Sequence, residues 1–186
     1  PKLMRHLGLE YYIGVLSAAE LHGAAHHRPQ VFQVVIPEGR PPIAVGKVRV
    51  NFVCRHNAAA MPVVARNSAT DVMRVSTAEV TAFDLVGYPR HAAGLDNSAT
   101  VLTELHEVME GAALAAVAPL SPMVWSQRLG FLLDFVGASH LTDPLAEYVD
   151  RHASSATLLD PKHRSTDGPL DPRWRVHVNI EPEPDL

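Results

Sequence analysis

A single cysteine, Cys54, stands in the 186 residues, so no intramolecular disulfide can form, and a reducing cytoplasm is the expected compartment. Lysine is scarce too: Lys2, Lys47 and Lys162 are all there is. A metal-dependent nuclease needs clustered carboxylates and a lysine, and the nearest approach, Asp160-Pro161-Lys162, sits in a proline-rich loop. No run approaches the roughly 20 apolar residues that span a bilayer, and no basic start leads into an apolar core and cleavage site. G-x-S-x-G is absent, as is a glycine-rich phosphate loop; "GLDNSAT" at 94–100 reads instead as a helix start. The first residue is Pro1 rather than methionine, as expected of a processed start or a piece of a longer protein.

What remains is a composition with a core: 47% hydrophobic, 19% charged and 6% aromatic residues exclude a disordered chain. The net charge of -4 hides an asymmetry. Residues 1–93 carry ten Lys and Arg against six Asp and Glu, and residues 94–186 carry six against fourteen. Such a division fits one surface for an acidic partner and another kept soluble by repulsion, or simply unequal solvated faces.

The hydrophobic pattern predicts a helix from Tyr11 to Leu21 that stops at Gly23, then a strand in "QVFQVVIP", with "EGRPPIAVG" as a loop. "KVRVNFVCRH" alternates: Val48, Val50, Phe52 and Cys54 face one way, and Lys47, Arg49, Asn51 and Arg55 the other, with Val53 the exception. "PVVAR" and "VMRVS" flank "NSATD" as a hairpin. Helices follow. Ser76 and Glu79 form a predicted capping box, Asp96 or Asn97 caps a second helix, and Ser121 a third that ends at Gly137. "TDPLAEYVDRH" opens a fourth. "RWRVHVNI" reads as a late strand that rejoins the early sheet, and "EPEPDL" as a frayed tail. The class is therefore α+β, with a mixed or antiparallel sheet. A single domain covers 1–186: a β-rich part over about 1–76, a helical part over about 77–155, and the strand and tail over 156–186.

Three histidines, His22, His26 and His27, crowd the end of the first helix. His22 and His26 have the spacing of two ligands on one helix face, but Gly23 stands where a zinc-protease helix carries its glutamate, and no spacing nominates a third ligand. Imidazoles that dress the carbonyl end of a helix are the alternative. Asp84, alone on an apolar helix, reads as a buried partner for an arginine such as Arg74 or Arg90, and Cys54 as core. The best binding candidate is basic: Lys47, Arg49 and Arg55 on one strand face, with Arg28 and Arg40 in adjoining turns. It suits phosphates or an acidic protein, or else it guards a sheet edge against aggregation.

In order, "YYIGVLSAAELHGAAHHRPQVFQVVIP", "MRVSTAEVTAFDLVGYPRHAAGLDNSATVLTEL", "SQRLGFLLDFVG" and "DPRWRVHVNIEPEPDL" resemble the C-terminal region of AbiEi-type antitoxins of type IV toxin–antitoxin and phage-defence operons. The resemblance implies a bacterial, cytoplasmic, non-enzymatic protein with no cofactor and no membrane partner. It implies a transcriptional autoregulator whose N-terminal winged helix-turn-helix binds operator DNA, while the C-terminal region supports antitoxicity and cooperative DNA binding. The counterpart would be a nucleotidyltransferase toxin, opposed without a stable complex. The winged helix-turn-helix is not in this sequence, so most operator contact is expected from a missing segment. No catalytic or metal-binding residue carries over. Two other readings stay open: a metal-dependent hydrolase using His22 and His26, and a dimerisation or effector-sensing module, with a homodimer as partner.

Overall fold

β-branched and aromatic residues suit a pleated, half-buried surface, and the strands form where those residues concentrate. The computed structural model describes residue 4 and residues 8–24, 31–46, 48–68, 71–166 and 168–185. Its first sheet comprises β1 (Tyr12–Ile13), β2 (Phe32–Ile36), β3 (Ile43–Val45), β4 (Val48–Cys54), β5 (Val63–Asn67) and β6 (Val72–Ser76). The strand order is β3-β4-β2-β1-β6-β5. β2 runs parallel to β4 and β1 parallel to β6, while β1/β2, β3/β4 and the β5/β6 hairpin are antiparallel. The sheet is thus mixed, and the α+β class stands.

α1 (Val15–His22) starts three residues after the sheet has taken Tyr12. The predicted helix is therefore shorter at its start, because a two-residue central strand leaves no period of its own in the sequence. Gly23 does end it, at φ +86°, with its N–H turned back to Ala19 and Glu20. β3 forms inside the predicted loop, on the outer edge of β4.

The remaining helices are α2 (Ala78–Gly87), α3 (Leu95–Leu105), α4 (Gly111–Val117), α5 (Met123–Phe135) and α6 (Asp143–His152). The sheet face that carries Tyr12, Val35 and Val53 joins Phe83, Leu85, Leu102, Leu129, Leu133 and Trp174 in the main core. The opposite face packs Val34, Ile36, Val50 and Phe52 around Met4. α2 is buried from Ala78 to Val86 and is the axis of the molecule.

The helix caps differ from their predicted positions. Thr77, not Ser76, caps α2 and accepts the Val80 N–H. Ser76 points inward to the Ile13 carbonyl and Thr81, and Glu79 leaves its own helix to accept the Glu110 N–H at the start of α4. Gly94, at φ +103°, precedes α3 with no side-chain cap; Asn97 donates instead to the Ala92 carbonyl. Pro122 occupies the cap position of α5, which releases Ser121 for another use. Thr142 and Pro144 open α6, and Gly137 turns the chain after α5 at φ +87°, both as expected.

The late strand forms, but not in the first sheet. β9 (Val176–His177) lies between β7 (Thr157–Leu158) and β8 (Leu170–Asp171) in a second sheet packed on α5. Short strands with this alternation name no partner, and the helical layer already lies against the first sheet. Nor is the acidic tail frayed. The Glu183 and Asp185 N–H groups donate to Asp96 and Thr100 on α3, and Pro182 is buried. Among the described residues, no helix is long and apolar enough to cross a membrane.

Candidate functional site

Of the five basic residues expected to form a binding face, Arg28 and Lys47 lie outside the described residues, as do His26 and His27. Arg40 is exposed between β2 and β3, and Arg49 is exposed on β4. Arg55 is not with them. Strand alternation does put Arg49, Asn51 and Val53 on one face of β4, followed by Arg55 just beyond its end. That face, however, starts in solvent and runs under the helices, so Val53 and Arg55 are buried. The apparent exception at Val53 marks the point where the face enters the core.

Arg55 anchors a buried polar network. Its Nη1 lies 2.6 Å from Asp84 Oδ1 on α2, with both side chains almost fully removed from solvent. The Tyr12 hydroxyl of β1 donates to Asp84 Oδ2 at 2.9 Å. Arg55 Nε donates to Asn57 Oδ1, and Nη2 to the Leu120 carbonyl and Ser121 Oγ. The guanidinium also lies 5.2 Å from the centroid of Trp125, whose ring meets Tyr88 edge-on. Tyr88 in turn donates to the Cys54 carbonyl. The predicted partners Arg74 and Arg90 are not used; Arg74 pairs with Glu10 at the surface. Cys54 is exposed rather than core.

The electrostatics follow from burial. Loss of solvent pushes Asp84 up to about 6, although Arg55 and the Tyr12 hydrogen bond favour its charged form. Burial works against the Arg55 charge, but Asp84, Tyr12 and Tyr88 more than compensate and raise it. Burial, then Asp84, raises Tyr12, and likewise Tyr88. Both hydroxyls therefore stay protonated donors. With both Asp84 oxygens and three Arg55 nitrogens engaged, the cluster fixes the relative placement of β1, β4, α2 and the start of α5.

The backbone beside it is tight. A Cβ on Gly14 would sit 2.6 Å from Val35 Cγ2 and 3.1 Å from Asp84 Oδ2, and Val15, next in the chain, is held at φ +52°. A β-branched residue rarely adopts that conformation, and it persists here in full burial. The sequence did carry a signal for the pair: one arginine at the end of an apolar strand and one carboxylate in an apolar helix. Single charges on apolar surfaces tend to seek each other.

His22 Nε2 is 2.8 Å from the Ser76 carbonyl, which ties the end of α1 to β6. Among the described residues, no group of three or more His, Cys, Asp or Glu side chains is placed to hold a metal ion.

The network of Tyr12, Arg55, Asp84 and Trp125 falls within residues 12–135, the span matched by the AbiEi antitoxin C-terminal domain family. The chain belongs to this family. As a family member it also shares its fold with a solved structure, the RV2827C protein from Mycobacterium tuberculosis, at a TM-score of 0.64 and 16% identity. The superposition covers 94% of this AbiEi-family chain and 64% of the other, so the chain spans just under two thirds of that protein. No curated protein matches.

Proposed function

We propose that this chain is the antitoxin region of a type IV toxin–antitoxin, phage-defence operon, where it opposes a nucleotidyltransferase toxin without forming a stable complex. The observation that carries the reading is the family match over residues 12–135, which contains the sheet, the central helix and the buried network that joins them. The role is one of regulation and protection rather than catalysis. Promoter DNA is the second partner. Sequence-specific reading falls to an N-terminal winged helix-turn-helix, and exposed basic side chains, Arg40 and Arg49 among the described residues, add contacts to the phosphate backbone.

Support for the DNA contribution comes from charge: the half of the sequence that builds the first sheet is the basic half. The experiment is rescue. The region is expressed with and without an N-terminal DNA-binding domain beside its operon's nucleotidyltransferase, and growth is scored. Protection by the long form is expected; its failure to protect overturns the reading. Co-purification at equal stoichiometry would overturn the absence of a stable complex while leaving the antitoxin role in place.

A further inference from the structure

In the acidic second half of the chain the stretch from Lys162 to Arg164 is basic, and the fold brings it beside another arginine from a distant helix. Arg128 leaves α5 part-buried and reaches over the second sheet. Its Nε donates to the Leu158 carbonyl at 2.9 Å, and Nη2 lies 3.4 Å from Thr157 Oγ1. Its Nη1 has no hydrogen-bond partner among the described residues. Arg128, Thr157 and Arg164 line one open groove of about 390 Å³, together with Leu158 and Pro161. Lys162 lines an adjoining crevice that Arg128 also borders.

Two features distinguish this groove from an ordinary solvated face. The first is that its two arginines have no ion-pair partner: among the described residues, no carboxylate lies within ion-pair distance of Arg128 or Arg164. Asp160, the nearest acidic side chain in the crevice, is already used: Oδ1 accepts the Lys162 N–H and Oδ2 pairs with His163 at 3.0 Å. Burial works against the Arg128 charge and lowers its pKa, with only partial relief from Asp160. An anion in the groove would restore that balance. The second feature is rigidity. Gln127, the residue before Arg128, donates to the Ser155 and Arg175 carbonyls, so α5 is fastened to the strands that carry Thr157 and Leu158. One guanidinium is thus held in place by the fold, and the other is exposed at the groove.

We propose that the groove between Arg128, Thr157 and Arg164 binds the phosphate group of a small molecule. Arg128 Nη1, the Arg164 guanidinium and the Thr157 hydroxyl match a phosphate's several acceptor oxygens, and the two positive charges, with Lys162 nearby, match a dianion better than a single carboxylate. Leu158 and Pro161, which also line the groove, offer apolar contact to the rest of a phosphorylated molecule, such as a nucleoside phosphate. The site is independent of the antitoxin reading, because it stands or falls on binding alone.

Calorimetry and phosphorus NMR on the full chain test it, with inorganic phosphate, ATP and a short single-stranded DNA as probes. Saturable binding of ATP is expected at millimolar concentration, with inorganic phosphate as competitor. Arg164→Ala, at an exposed position where folding is undisturbed, is expected to weaken it about tenfold, the loss of one charge-assisted pair. Arg151→Ala, which removes another exposed arginine, should leave binding unchanged. Equal affinity for phosphate and ATP would make the phosphate alone the recognised group, and tighter ATP binding would add a nucleoside contribution; both support the site. No saturable binding by either small probe, or an Arg164→Ala variant that binds as well as the parent, overturns it. Binding of DNA alone, without competition by phosphate, overturns the small-molecule assignment.

Discussion

Arg55 Nη1 and Asp84 Oδ1, 29 residues apart in sequence, meet at 2.6 Å inside the core and join the end of β4 to the middle of α2. A buried pair is weak evidence of net stabilisation, since two charges have been taken out of water, but removal of one partner strands the other. Arg55→Met or Asp84→Leu should therefore each destabilise the chain by about 3–5 kcal/mol. The double variant should recover part of the loss, because it leaves no unpaired charge. Denaturant unfolding of the two single variants and the double variant measures this. Additive losses would mean that Tyr12, Asn57 and Ser121 satisfy each charge without the other.

The same pair has a pH signature. Burial raises Asp84 from 3.8 in the unfolded chain to about 6 in the folded one, so the folded state takes up its proton first as the pH falls. The stability that Asp84 contributes through this shift is fully present below about 4 and is lost as the pH rises through 6. Compared with Asp84→Asn, which does not titrate, the parent's advantage should shrink between pH 4 and pH 7. Unfolding midpoints across that range decide the sign. An advantage that grows with pH would show that Arg55 holds Asp84 below its unfolded value.

Much of the fold was legible from periodicity and stop signals. β2, β4 and the β5/β6 hairpin fall where alternation puts them, and Gly23 and Gly137 terminate helices where their freedom at positive φ is needed. Arg55 was legible as to face but not as to depth, since alternation tells which side of a strand a residue occupies and not what covers that side. The late strand failed for a related reason: "RWRVHV" specifies a pleat, and its partners β7 and β8 are two-residue strands that leave no pattern. The helix caps shifted because Ser76 and Ser121 found tertiary partners that compete with capping. The Pro-rich acidic tail reads as frayed, yet the Glu183 and Asp185 N–H groups reach acceptors on α3.

Thr77 supplies the only side-chain cap at the start of α2, so Thr77→Ala should cost about 1 kcal/mol. Ser76→Ala should be destabilising by a different route. It removes the buried hydroxyl that joins the Ile13 carbonyl to Thr81, whose Oγ1 keeps only its bond to the Thr77 carbonyl, while the helix start stays intact. Thermal unfolding of both variants, with helix content followed by circular dichroism, separates the two. An unchanged midpoint for Thr77→Ala would return the capping role to Ser76.

Gly130 lies in the middle of α5, where alanine is intrinsically better by about 1 kcal/mol. The six-membered ring of Trp174 occupies the space where its Cβ would be, and that indole is held by a 2.7 Å bond from Nε1 to Asp134 Oδ2. Gly130→Ala should therefore destabilise the chain by about 1–3 kcal/mol despite the better helix former. Near-ultraviolet circular dichroism should show the Trp174 signal altered. A variant more stable than the parent would mean that the second sheet can move away from α5.

Charge reversal separates the two fates of the basic strand face. Arg49 is exposed and Arg55 is buried, so Arg49→Glu should leave stability within about 0.5 kcal/mol of the parent, whereas Arg55→Glu should abolish folding by placing two carboxylates together in the core. If Arg40 and Arg49 add phosphate contacts to an operator complex, Arg40→Glu and Arg49→Glu in the long form should weaken DNA retention. Each should lower the slope of affinity against salt concentration by roughly one charge. Retention across a salt series, on operator and on unrelated DNA alike, is the measurement. Equal losses on both sequences are expected of backbone contacts; an unchanged salt slope would remove this face from the DNA interface.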